Sequence, residues 1–147
     1  MFAVGDIPIR VETSGEPQDW GNALPVLHEI RHALERLAET GETTLIDLNG
    51  IPFGPGDEAR LLALLGEGEV EATLHAFGPT RIRETAVPGV WLVDHRNAED
   101  ERLVLHLEVA AVPNILLTQE EDLAGAVAVL DSRMDAGLTK PITRPDS

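Results

Sequence analysis

Apolar residues three and four apart, Leu24, Leu27, Ile30, Leu34 and Leu37, form the first clear pattern along the chain. On a helix they share one stripe, so the spacing predicts a helix over Ala23–Thr40 with Gly41 as its stop. Ahead of it, Ile7, Ile9 and Val11 alternate among Pro8, Gly15, Pro17 and Gly21, which predicts an extended arm over residues 1–22. The β-branched run Thr43–Leu48, closed by Asn49-Gly50, predicts a short strand. After Gly54-Pro55-Gly56, a second helix is expected through Leu61, Leu62, Leu64 and Leu65, with Asp57 as its N-cap and Gly66 as its stop. The short strand, this second helix and the chain that follows read as a strand-helix-strand unit.

From Glu69 the period changes to two. Val70, Ala72, Leu74 and Ala76 alternate with Glu71, Thr73, His75 and Phe77; Gly78-Pro79 and Pro88-Gly89 turn the chain. Strands are expected over Thr80–Val87, Val90–His95 and Leu103–Ala110, giving a four-stranded antiparallel meander. Leu103, Leu105, Leu107 and Val109 should face the core, with Val104, His106, Glu108 and Ala110 on the other side. Thr118 and Glu121 form a capping box before Leu123, Val127, Leu130 and Met134, predicting a last helix that stops at Gly137. The expected fold is α+β: a mixed, mostly antiparallel sheet with about three helices packed on one face. Residues 23–137 are expected to form one domain, and residues 138–147 a loose tail.

Composition narrows the chemistry. With 147 residues and 43% apolar side chains the chain can bury a core unaided. There is no cysteine, which removes disulfides, thiolate nucleophiles, Cys-type zinc sites and thiolate-held iron–sulfur clusters. The 26 acidic against 11 basic residues give a charge of −15, which repels phosphate backbones, and the few aromatics supply no stacking platform. Nucleic acid is therefore not an expected partner. The start of the chain carries no basic segment followed by an apolar run, and no stretch approaches the ~18 apolar residues of a membrane span. A cytoplasmic protein without membrane contact is the expectation.

The sharpest motif is His28-Glu29-Ile30-Arg31-His32, an H-E-x-x-H. On a helix the two imidazoles sit one turn apart and can share a zinc ion, with Glu29 as general base. The helical stripe of Leu27, Ile30, Leu34 and Leu37 instead puts His28 and His32 on the wet face beside Glu35 and Glu39, and Arg31 disfavours a cation. An exposed helix surface is the preferred reading; a weak metal pair at His28 and His32, or a zinc hydrolase, is the alternative. His95, His106 and Glu108, with His75 nearby, are a second candidate group on the sheet's outer face, either ordinary polar residues or a metal or partner site. Gly54-Pro55-Gly56 reads as a tight turn and not an anion cradle, because Asp57 and Glu58 hold that helix end. Ser14, Ser132 and Ser147 have no base beside them in sequence context, so no catalytic residue is expected.

The order of segments adds what no single site does. Leu24-Pro25-Val26-Leu27-His28-Glu29-Ile30-Arg31-His32-Ala33-Leu34, Ile46-Asp47-Leu48 with Pro52, Leu65-Gly66-Glu67-Gly68-Glu69-Val70, Arg83-Glu84-Thr85, Pro88-Gly89-Val90-Trp91, and Glu108-Val109-Ala110 with Pro113 together resemble the HupH/HyaF family of hydrogenase expression and formation proteins. The resemblance covers about residues 22–131. It implies a non-catalytic, chaperone-like accessory role in maturing nickel-iron hydrogenases, with the iron–sulfur small-subunit precursor or other maturation proteins as partners and no cofactor of its own. It carries over no catalytic residue, and it makes the H-E-x-x-H an ordinary helix segment. Family members often run to about twice this length with two related halves, where this chain has one.

Arg83, Glu84 and Trp91 are the expected partner-binding residues, a large aromatic beside a charged hairpin being a fit anchor. A core role for Trp91 is the competing expectation. The four apolar positions Val90-Trp91-Leu92-Val93, with Trp91 and Val93 on the outer face, also lead to the expectation of a homodimer. The rival to the hydrogenase role is an interaction domain unrelated to hydrogenase.

Overall fold

A computed structural model describes residues 21–76 and 78–139. The expected arm, except for its last two residues, Phe77 and most of the expected tail lie outside the described residues. The chain divides into two compact units, the first ending at Pro113 and the second beginning at Asn114.

The first unit is built on five strands: β1 (Thr44–Asp47), β2 (Glu71–His75), β3 (Pro79–Glu84), β4 (Val90–Arg96) and β5 (Arg102–Val109). Their order across the sheet is β1-β5-β4-β3-β2, and every neighbouring pair is antiparallel. The meander appears as the alternation predicts. β1 joins it at the far side, with Ile46 opposite Leu107. The strands flanking the second helix therefore lie at opposite edges of the sheet.

Helix α1 spans Ala23–Thr40 and ends where Gly41 N–H donates to Leu37 O (2.9 Å). Its buried stripe is Ala23, Val26, Ile30 and Ala33, with Leu27, Leu34 and Leu37 half-buried against it. The stripe is thus turned from the one the leucines suggest, and Leu24 is left half exposed. Small residues at the contact let the helix lie close to its neighbours. Helix α2 spans Asp57–Leu65, and Gly66 N–H closes it on Leu62 O (3.0 Å). Gly56, not Asp57, is its N-cap. Asp57 is the first helical residue and is buried, and its Oδ2 accepts Gly54 N–H (2.7 Å), so the carboxylate holds the turn before the helix.

The core lies between these two helices and one face of the sheet. Leu48, Leu61 and Leu65 meet Ile46, Val90, Leu92, Leu105, Leu107 and Val109 there. Leu103, expected on that face, is exposed: β4 and β5 shift register between His95 and Arg96, and Leu103 falls in the shift. Past it, Arg102 forks onto Glu58 (3.1 and 2.9 Å), tying the start of β5 to α2.

The second unit holds helix α3, Glu120–Thr139. It runs through Gly137, so the predicted stop does not operate, and Leu123, Val127, Leu130 and Met134 are each more than half exposed. No helix among the described residues is long and apolar enough to cross a membrane.

Candidate functional site

Strand pairing decides which of the singled-out residues meet. Directly opposed residues share a face, so Leu45, Glu108, Trp91 and Glu84 form one outer row, and Asp47, His106, Val93 and Ile82 the next. His95 sits one step further, opposite Thr80 and Val104. His75 pairs with Pro79 and falls on the other face, so it does not join the histidines.

His95 and His106 are diagonal neighbours with ring centroids 5.2 Å apart, and His95 Nδ1 lies 3.0 Å from Thr80 Oγ1. Burial, then the charge of His95, holds His106 below the ordinary histidine range, while Glu108 and Asp47 pull it upward. The unfolded chain therefore takes up this proton more readily than the folded one. The stability owed to neutral His106 is present above the ordinary pKa of about 6.5 and is lost as pH falls through the lowered value. His106→Gln should accordingly flatten the fall of the urea midpoint on acidification, and equal slopes for wild type and variant would refute this.

Trp91 is 7% exposed and donates its indole N–H to Ala110 O (3.0 Å). It is a satisfied interior residue and not a protruding anchor. His28 and His32 lie on the exposed side of α1, and His32 Nδ1 faces Glu35 Oε1 at 3.4 Å. Among the described residues, no three His, Cys, Asp or Glu side chains converge to hold a metal ion.

Arg83 and Glu84 are adjacent and reach opposite rows, Arg83 facing Glu71 and Leu92, Glu84 facing Trp91. Both line a cleft of about 210 Å3 whose floor includes Leu62, Leu65 and Leu92. Its wall is the chain from Gly66 to Val70, which the sequence pattern assigns to a helix stop and the start of a strand but not to a site. Gly68 N–H donates to Glu84 O (2.8 Å), Glu84 N–H to Val70 O (2.9 Å) and Ala86 N–H to Leu65 O (2.9 Å). The close approach needs glycine: a Cβ on Gly68 would stand 2.6 Å from Thr85 O, and Gly66 has φ +72° with a Cβ site 2.9 Å from Ala86 Cβ. The signal available in sequence was Gly66-Glu67-Gly68-Glu69 itself, two glycines where helix gives way to strand.

Residues 21–136 match the family model described as the HupH hydrogenase expression protein, C-terminal conserved region. Hydrogenase expression/formation protein HupQ of Azotobacter chroococcum mcd 1 is 38% identical over 109 residues, which are 73% of this chain and 38% of the relative. HupH of Rhizobium leguminosarum bv. viciae is 30% identical over 128 residues, 87% of this chain and 45% of the relative. The structure of hydrogenase expression protein HupH from Thiobacillus denitrificans ATCC 25259 superimposes with a TM-score of 0.75 at 48% identity, covering 79% of this chain and 97% of that one. The chain spans less than half the length of the curated relatives it matches.

Proposed function

Because this chain belongs to the family of HupH hydrogenase expression proteins, we propose that it is a cytoplasmic, non-catalytic accessory protein of hydrogenase maturation that binds the iron–sulfur small-subunit precursor. The family match over residues 21–136 carries the reading. Relatives named for hydrogenase expression and formation support the role, and the client is our inference. Two features agree with binding rather than catalysis. The chain has no thiolate with which to ligate a cluster, and the histidine pair of its one catalytic-looking motif lies on an open helix surface. Action on a client would then be steric and transient, a surface held against a precursor until assembly proceeds.

A strain lacking the protein should lose hydrogenase activity several-fold and accumulate small-subunit precursor on immunoblots, with both restored by the gene in trans. Normal activity and normal processing, under low and higher oxygen alike, would count decisively against the role.

A further inference from the structure

The cleft beside α2 combines three features that select one class of ligand. Its floor is apolar, supplied by Leu62, Leu65 and Leu92. Its rim carries Glu67, Glu69, Glu71 and Glu84 against a single guanidinium, Arg83, which the strand register sets opposite Glu71. The carboxylates are therefore in excess at the mouth. Beside the cleft, β2 is an edge strand: among the described residues it pairs with β3 alone, and no other described strand lies along the backbone of Glu71–His75. An open strand edge is a template for an added strand, and an acidic rim over an apolar floor suits a side chain with an aliphatic stem and a cationic head.

We propose that this cleft docks an extended, basic segment of a partner protein, with a lysine or arginine stem lying over Leu62, Leu65 and Leu92 and its charge among the glutamates. The wall is built before any ligand arrives: Gly66 and Gly68 allow the close approach, and the hydrogen bonds to Glu84 and Ala86 hold it. Little ordering cost remains at that wall on binding. The ligand chemistry is read from the cleft alone; only the identification of the partner as a maturation client rests on the function proposed above.

The test uses the full chain and a short labelled peptide alternating valine and lysine, with a valine–glutamate peptide as its counterpart, followed by fluorescence anisotropy. The basic peptide should bind and the acidic one should not. Glu67→Lys/Glu69→Lys should weaken binding about five- to tenfold, and added salt should weaken wild-type binding. Glu35→Lys/Glu39→Lys on the exposed side of α1 makes the same change in net charge and should leave most of the affinity, which separates the cleft from general attraction to an acidic protein. Circular dichroism of both variants checks that they fold.

Failure of the basic peptide to bind, equal loss in the two variants, or equal binding of the acidic peptide would overturn the proposal; the last would point to Arg83 as the recognising group. In the deletion strain, the Glu67→Lys/Glu69→Lys gene should restore less hydrogenase activity than wild type. Full restoration would reject the cleft while leaving the maturation role standing, whereas a deletion without effect would reject the role and leave the peptide result untouched.

Discussion

Trp91→Glu is expected to unfold the protein rather than to separate subunits. The side chain is 7% exposed and its indole N–H is bonded to Ala110 O at 3.0 Å, so the substitution removes a buried ring and leaves that carbonyl without its donor. Losing a large buried aromatic costs about 3–5 kcal/mol. The new carboxylate would also sit directly between Glu84 on β3 and Glu108 on β5, its cross-strand partners. Like charges opposed in a sheet are destabilising, and a buried unpaired charge more so. A domain of this size has only about 5–15 kcal/mol in total. Urea unfolding followed by circular dichroism should find little or no folded variant, whereas Trp91→Phe, which keeps an aromatic ring but loses the packing of the indole's second ring and the hydrogen bond, should cost less, about 2–3 kcal/mol. A Trp91→Glu protein with the wild-type midpoint would refute the burial. Because the ring is buried, this variant reports on folding and not on the homodimer expected from sequence.

Leu107→Ala should be the costliest of the simple truncations in the sheet. Leu107 is fully buried, and its row across the sheet is Ile46, Leu107, Leu92, three residues of the same core. Truncation at such a site costs about 3–5 kcal/mol, because neighbours on three strands cannot all collapse into the space left behind. Leu45→Ala, on β1 but on the outer row and 60% exposed, should cost no more than about 0.5 kcal/mol. Equal losses from the two would mean that the register is wrong. Leu92 belongs both to this core and to the floor of the cleft, so the core variant should also weaken the proposed peptide binding.

How far the sequence reached depended on the range of the forces involved. Helix α1 and its stop at Gly41 were legible because a 3.6-residue period and a glycine terminus are local properties. The meander was legible for the same reason: Gly78-Pro79 and Pro88-Gly89 turn strands whose period of two is plain in the residues themselves. The acidic charge and the missing cysteines needed no structure at all.

Tertiary structure decided the rest, because most of the remaining points turn on a partner far along the chain. The pairing of Ile46 with Leu107 places β1, and no local pattern announces it. Which side of α1 is buried follows from the surface it meets, and small Ala23 and Ala33 fit there where Leu24 does not. Asp57, in a capping position by sequence, is drawn inward to Gly54 N–H and leaves the N-cap to Gly56. Trp91 could equally have been an anchor or a core residue until Ala110 O was found to meet its indole N–H. The cleft exists only because residues 66–71 and 83–85, separate in sequence, are hydrogen-bonded side by side. Periodicity tells a residue which element it belongs to; only the packed neighbours tell it whether it faces water, core or a ligand.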